Sequence, residues 1–305
     1  MHPQLQDAIK QVSEQVIGKQ QQIKLAFTCL LANGHLLIED LPGMGKTTLS
    51  HALATVLGLD FSRIQFTSDL LPADMLGLNI FDSAKQSFEF HPGPIFNQLI
   101  LADEINRASP KTQSALLEAM EEKQVSLDGE TRALPTPFFV IGTQNPMHQS
   151  GTYPLPESQL DRFLMRIQLG YPDWQAEKKM LLGHDNTTLK SKPTVMSVSH
   201  FIEMQQQITQ VNVSEPILDY ILKLVTHSRE TDGFPNPLSP RASKALLQAS
   251  KAWAFLHGRD YVIPEDIQAV LPSVAEHRMR AALSDFNGQT SLSEKLLEAI
   301  DPLAA

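Results

Sequence analysis

Cysteine is almost missing from this chain of 305 residues: one thiol, Cys29, excludes an internal disulfide framework and points to a reducing compartment. It sits in IKLAFTCLLA, an apolar helical stretch where a buried thiol is expected rather than a reactive one. No window reaches the roughly 18 apolar residues that cross a bilayer. MHPQLQDAIKQ lacks the basic segment and apolar core of a secretory signal, so a cytoplasmic location is the default expectation. A basic surplus is also missing. Lys and Arg number 25 against 34 Asp and Glu, a net charge of -9, which argues against a protein that coats DNA or RNA, though not against a small basic patch. The ten histidines form no close HxxxH or HxH pair, and with one cysteine no zinc site is expected. There is no internal repeat and no low-complexity tract. Hydrophobic residues at 42% and charged residues at 19% place the chain among globular proteins, and its length favours two domains.

Residues 1–34 carry helical periodicity, interrupted at Gly18. His35–Glu39 is a short apolar run of the kind that forms a buried parallel strand, followed by DLPGMGKT and a helical run closed by Gly58. Further buried-strand candidates are Phe61–Phe66, Leu99–Ala102 and Phe138–Gly142. Between the last two, SPKTQSALLEAMEE predicts a helix capped by Ser109, with Pro110 at its first position. Strands alternating with helices predict an α/β fold, a mostly parallel sheet covered on both faces. From Tyr171 onward only helical segments are read, at about 173–183, 197–209, 215–229, 240–257 and 264–280, with loops at 184–194 and 232–240. The expected division is an α/β domain over 1–170 and an all-helical domain over 171–305.

DLPGMGKT at 40–47 reads as a phosphate-binding loop, with backbone N–H groups cradling the β- and γ-phosphates and glycine where the chain approaches closely. Gly43 and Gly45 supply the glycines, Lys46 the charge, and the Thr47 hydroxyl is placed for magnesium. Asp40 replaces the usual first glycine, and a surface turn is the competing reading. LILADE at 99–104 puts Asp103 and Glu104 at the tip of a buried strand, where α/β sheets hold ligands. Asp103 is expected to bind magnesium and Glu104 to orient the attacking water; a solvated acidic strand end is the alternative. TQNP places Asn145 at another strand end, either as a sensor of the γ-phosphate or as an ordinary turn.

ILADEINRASPKTQSALLEAMEE, TQNP, GTYPLPESQLDRF and SPRASKALL, with the P-loop, resemble the MoxR family of AAA+ ATPases over roughly residues 10–280. The resemblance implies a P-loop NTPase core, a helical lid, assembly into a ring, commonly a hexamer, and Mg-ATP bound between subunits. By it the nucleotide contacts are Ile17 and Gly18 for adenine and Pro42, Gly43, Met44, Gly45, Lys46, Thr47 and Thr48 for phosphate. Arg162 matches the arginine finger and Arg241 the sensor 2 position, acting on its own or the neighbouring subunit; solvated arginines are the plainer readings of both. Arg107 is a further candidate for the subunit interface. Residues 79–91 and 125–134, the second turning at Asp128-Gly129, match two hairpin inserts that face the ring's pore. Their basic residues are only Lys85 and Arg132, against Asp82, Glu89, Asp128 and Glu130, which ranks nucleic-acid translocation low. The family implies chaperone-like work on a client protein, often with a von Willebrand A-domain partner. A ring motor on nucleic acid and a nucleotide-dependent scaffold are the alternatives.

Overall fold

The short apolar runs form strands and the 3.6-periodic segments form helices, as can be followed along the chain. The computed structural model describes residues 2–145, 151–182, 194–280 and 291–302, so the loop read at 184–194 lies outside it except for its last residue. Helices α1 (Pro3–Ser13) and α2 (Gln20–Leu31) precede β1 (Leu36–Glu39), α3 (Lys46–Leu57) and β2 (Phe61–Gln65). A short α4 (Pro72–Leu76) leads into β3 (Gly77–Asp82) and β4 (Ser87–Pro92). Next come β5 (Leu99–Asp103), α5 (Pro110–Glu122), β6 (Gln124–Leu127), β7 (Glu130–Ala133) and β8 (Phe139–Gln144). After α6 (Glu157–Leu160) and β9 (Met165–Ile167), the described elements are all helices. They are α7 (Trp174–Leu181), α8 (Val198–Thr209), α9 (Glu215–Glu230), α10 (Pro240–Leu256), α11 (Pro264–Met279) and α12 (Leu292–Ala299). Among the described residues no helix is long and apolar enough to cross a membrane.

The central sheet has the order β2-β5-β8-β1-β9 and every pairing in it is parallel. Side chains alternate between its faces, so Leu36, Ile38, Leu99 and Leu101 join one apolar core while Leu37, Ile100 and Val140 join the other. Two buried faces explain why these strands read as continuous apolar runs. The first core runs on into the helical region, taking in Phe201 of α8, Leu246 of α10 and Val270 of α11 together with α2 and α3. The second lies under α4 and α5.

Strand β9 had no sequence signal, because Arg166 interrupts the apolar run. That arginine is 7% exposed and paired at 2.8 Å with the fully buried Glu39 of β1, so the edge of the sheet is sealed by an internal ion pair. The two hairpins form as antiparallel pairs, β3 with β4 and β6 with β7, the latter turning at Asp128 and Gly129 with φ of 51° and 83°. Asn79 donates to the Asp128 carboxylate at 2.6 Å, and the Arg132 guanidinium lies 3.9 Å over the Phe90 ring, joining the two hairpins.

His35, just before β1, is buried between β8 and α5. Its Nδ1 accepts from the Val140 amide at 3.0 Å and its Nε2 faces the Met120 carbonyl at 3.2 Å, a pairing that requires the neutral ring with the proton on Nε2. Burial pushes its pKa down from 6.5 to about 4, and burial also holds His277 well below the usual value. The unfolded chain therefore takes up protons first as pH falls. Unfolding free energy is expected to drop by about 3 kcal/mol from His35 alone between pH 6.5 and 4, at 1.36 kcal/mol per pKa unit. Denaturant titrations of the parent and His35→Gln across that window check this; the same slope in both would contradict the assignment.

Candidate active site

The P-loop connects β1 to α3. Gly43 and Gly45 hold φ of 84° and 88°, a region that L side chains rarely adopt. A Cβ built on either meets no atom within 4 Å, so the backbone faces an open cradle. Lys46 opens α3, and its Nζ donates to the Asp40 carbonyl at 2.6 Å. Burial lowers the Lys46 pKa, opposed by Asp40, Asp103 and Glu104. Asp40, the departure from the usual P-loop pattern, is buried: it accepts from the Leu41 amide at 3.0 Å and from the Gly170 amide at 2.6 Å. Its side chain fastens the start of the loop to the segment that follows β9.

Pro42, Gly43, Gly45, Lys46, Thr47 and Thr48 share a cleft of about 390 Å³ with Asp103, Glu104 and Asn145. Met44 turns away and packs against the large core. Ile17 and Gly18 lie outside this cleft, in the turn before α2. Gly18 sits against Ala176 of α7, where an added Cβ would stand 2.7 Å away, and the Lys19 ammonium binds the Tyr171 carbonyl. That turn therefore borders the same connector that Asp40 holds.

Asp103 and Thr143 end neighbouring strands, and the Thr143 hydroxyl donates to the Asp103 carboxylate at 2.6 Å while accepting from the Glu104 amide at 2.9 Å. Glu104 leaves the strand in a left-handed conformation, φ 57° and ψ 50°, which a non-glycine residue holds at a cost of about 1–3 kcal/mol. The turn swings its carboxylate into the cleft, where one oxygen accepts from Gln65 at 3.1 Å and from Arg107 at 2.9 Å. Arg107 is thus a partner of Glu104 within the chain. Arg63 donates to Asp103 at 2.6 Å and to Gln65 at 2.9 Å, closing a network across the ends of β2 and β5. Arg63, Gln65 and Thr143 had no assigned role in the sequence. The available signal was the period-two placement of Arg63 and Gln65 in β2, on a strand whose register sets Gln65 opposite Asp103. The Thr47 hydroxyl and Asp103 carboxylate form a hard oxygen donor set that fits magnesium, which takes few protein ligands and completes its shell with phosphate and water.

Arg162 and Arg241 lie elsewhere. They line a second cleft of about 430 Å³ with Glu121, Asp161, Lys244 and Arg278, and it shares no residue with the first. Ser239 caps α10 through the Ala242 amide at 3.1 Å, which sets Arg241 in its first turn. Arg278 of α11, almost wholly buried, donates to Asp161 at 2.7 Å and to the Phe163 carbonyl at 2.8 Å. The turn carrying Arg162 is thereby bolted to the helical region.

Residues 35–165 match the model of the "ATPase family associated with various cellular activities (AAA)", and residues 233–299 match that of the AAA lid domain. A Bacillus subtilis protein, "Uncharacterized protein YeaC", is 47% identical over 92% of this chain and 88% of its own. "Chaperone MoxR1" of Mycobacterium tuberculosis is 39% identical over 90% of this chain and 75% of its own. The crystal structure of "a putative ATPase" from Cytophaga hutchinsonii superposes with a TM-score of 0.88 at 37% identity and covers 98% of this chain and 94% of that one.

Thr143→Val keeps the side-chain volume but removes both hydrogen bonds of the clamp. Leaving the Glu104 amide unsatisfied is expected to cost about 1–3 kcal/mol in urea unfolding and to slow ATP turnover. A variant matching the parent in both measurements would contradict the clamp.

Proposed function

The chain belongs to the MoxR family of AAA+ ATPases and is an ATP hydrolase, and from that premise we propose that it hydrolyses Mg-ATP at the boundary between two copies of itself, in a ring, to remodel a client protein. One observation carries the reading: the phosphate cradle and the two arginines occupy separate clefts of the same chain. A lone subunit thus offers its own P-loop neither guanidinium, whereas a neighbour whose arginine cleft faced that P-loop would supply both.

In this reading the amides of residues 43–48 and the Lys46 ammonium hold the β- and γ-phosphates. Thr47 and Asp103 hold magnesium, which neutralises charge developing on the phosphate oxygens. Glu104 orients and polarises the attacking water, with Gln65 and Arg107 fixing one carboxylate oxygen and leaving the other to accept from water. Asn145, at the end of β8, faces the terminal phosphate. Arg162 and Arg241 act on the neighbour's nucleotide, and their guanidinium groups stabilise the charge of the transition state.

Protein remodelling is supported over a nucleic-acid motor by the state of the hairpin cations. Lys85 is paired with Asp82 and Glu89, while Arg132 is paired with Glu130 and covers Phe90. Phosphate tracking depends on available Lys and Arg. The first hairpin instead exposes Leu78, Ile80, Phe81 and Phe88, an apolar surface suited to an unfolded or flexible polypeptide. The chaperone reading of the relative agrees with that chemistry. A von Willebrand A-domain partner remains the family expectation, and a hexamer is the expected ring. A scaffold without turnover is disfavoured by the presence of Glu104, Asn145 and Arg162 around the two clefts.

Glu104→Gln is expected to bind ATP as the parent does and to lose turnover by about 100-fold or more, the usual scale for a general base. Equal turnover would refute the role. Arg162→Ala subunits, inactive alone, are expected to regain part of their activity when mixed with Glu104→Gln subunits, because each variant supplies what the other lacks. No recovery at any mixing ratio would place Arg162 outside the neighbour's site.

A further inference from the structure

Glu121 ends the exposed face of α5 between the two arginines. One oxygen lies 2.5 Å from an Arg241 amino group and the other 2.9 Å from Arg162 Nε. We propose that Glu121 is a positioning residue that yokes Arg162 and Arg241 into a single dicationic unit that binds the neighbouring subunit's terminal phosphate; this deepens the ring reading above and rests on it.

The argument begins with charge. Arg162 comes from the α/β region and Arg241 from α10, so nothing in the local sequence holds two like charges together. A carboxylate with one oxygen on each guanidinium offsets their repulsion and fixes their spacing. The Arg241 hydrogen bond, aided by both guanidinium charges, holds the Glu121 carboxyl below the usual range, so it is ionised at neutral pH.

Geometry adds a second reason. Glu121 contacts Arg162 through Nε, as an ion pair whose angles fall outside a directed hydrogen bond. Among the described residues the two terminal amino groups of Arg162 have no hydrogen bond, and these are the pair that a phosphate accepts from in bidentate fashion. Glu121 thus grips the inner edge of the guanidinium and leaves its fork presented.

The platform beneath is rigid. Helix α5 is capped by Ser109, and Thr112 donates to the Leu70 carbonyl at 2.8 Å. Leu116, Leu117 and Met120 are buried, and the Met120 carbonyl, one residue before Glu121, is held by His35. On the other side, Asp161 is 3.9 Å from Arg241 and 2.7 Å from the buried Arg278, so the arginine pair is braced from α11 as well. The cleft as a whole carries an excess of cationic groups, with Lys123 and Lys244 beside the arginines, and that excess favours a polyphosphate.

The test uses mixed assemblies of full-length subunits and reads steady-state ATP turnover. Arg162→Ala subunits are the acceptors, and the donors are either Glu104→Gln or the double variant Glu104→Gln/Glu121→Gln. The double-variant donors are expected to restore less than a tenth of the activity that Glu104→Gln donors restore. Acceptors carrying Arg162→Ala/Glu121→Gln are expected to be rescued by Glu104→Gln donors as well as Arg162→Ala acceptors are, because their own nucleotide site is untouched. Equal rescue by both donors overturns the proposal, and so does a Glu121→Gln single variant with raised turnover, which would make the carboxylate a restraint. Failure of the Glu121-substituted acceptors would show a general structural role instead and also overturn it. Absence of rescue by Glu104→Gln donors at every ratio would withdraw the ring reading and this one together, whereas the other outcomes bear on Glu121 alone.

Discussion

The hydroxyl of Thr143 donates to Asp103 and accepts from the Glu104 amide, and those two contacts tie the tips of β5 and β8 together at the proposed site of hydrolysis. Glu104 leaves its strand in a left-handed conformation that its side chain does not favour. Without a partner for its amide, the chain would relax and the carboxylate would drift. With the clamp in place, Asp103 remains in the strand and Glu104 projects into the cleft, so two adjacent acids point at different targets. Gln65 and Arg63 extend the same restraint to β2. Precision at this site is a property of three strand ends in register more than of any loop.

How much of this was legible in the sequence depended on distance along the chain. The P-loop, the acids of β5 and the helix capped by Ser109 were readable because glycine spacing, apolar runs and capping act over a few residues. Both hairpins were readable from their alternation and, in the second, from Asp128-Gly129. Arg63, Gln65 and Thr143 were not, because their partners lie about 40 residues away and only sheet order brings them together. Strand β9 was hidden by a charged residue whose burial makes sense only beside Glu39. Helix α12, eight residues long beyond the last segment read as helical, was not anticipated. Asp40, which looked like a flaw in the P-loop pattern, became intelligible only when Gly170 was found hydrogen-bonded to it.

The Glu39–Arg166 pair shows why the sheet edge tolerates a charge. Burial raises the Glu39 pKa, and the guanidinium opposes the shift. Removing either member would leave an isolated buried ion, a loss of about 3–5 kcal/mol, even though replacing a buried ion pair by well-packed apolar residues is often neutral for stability. The pair therefore speaks for register and not for net stability. It fixes β9 against β1, and β9 leads directly to Gly170 and the Asp40 tether.

On the proposed reading, that tether and the Arg278 bolt together link one subunit's nucleotide site to the next subunit. The P-loop is fastened through Asp40 to Gly170, the first step of the connector to the helical region. The helical region in turn carries Arg241 on α10 and, through Arg278 on α11, holds the turn that bears Arg162. On the proposed reading, a change in the P-loop that alters the Asp40 contact is passed to the same rigid body that presents both arginines to the neighbour. The shared core of α2, α8, α10 and α11 makes that body resist bending, since dense apolar packing transmits displacement rather than absorbing it. Communication around a ring would then need no separate lever: the element that senses a subunit's own nucleotide and the element that completes the next site are packed as one piece.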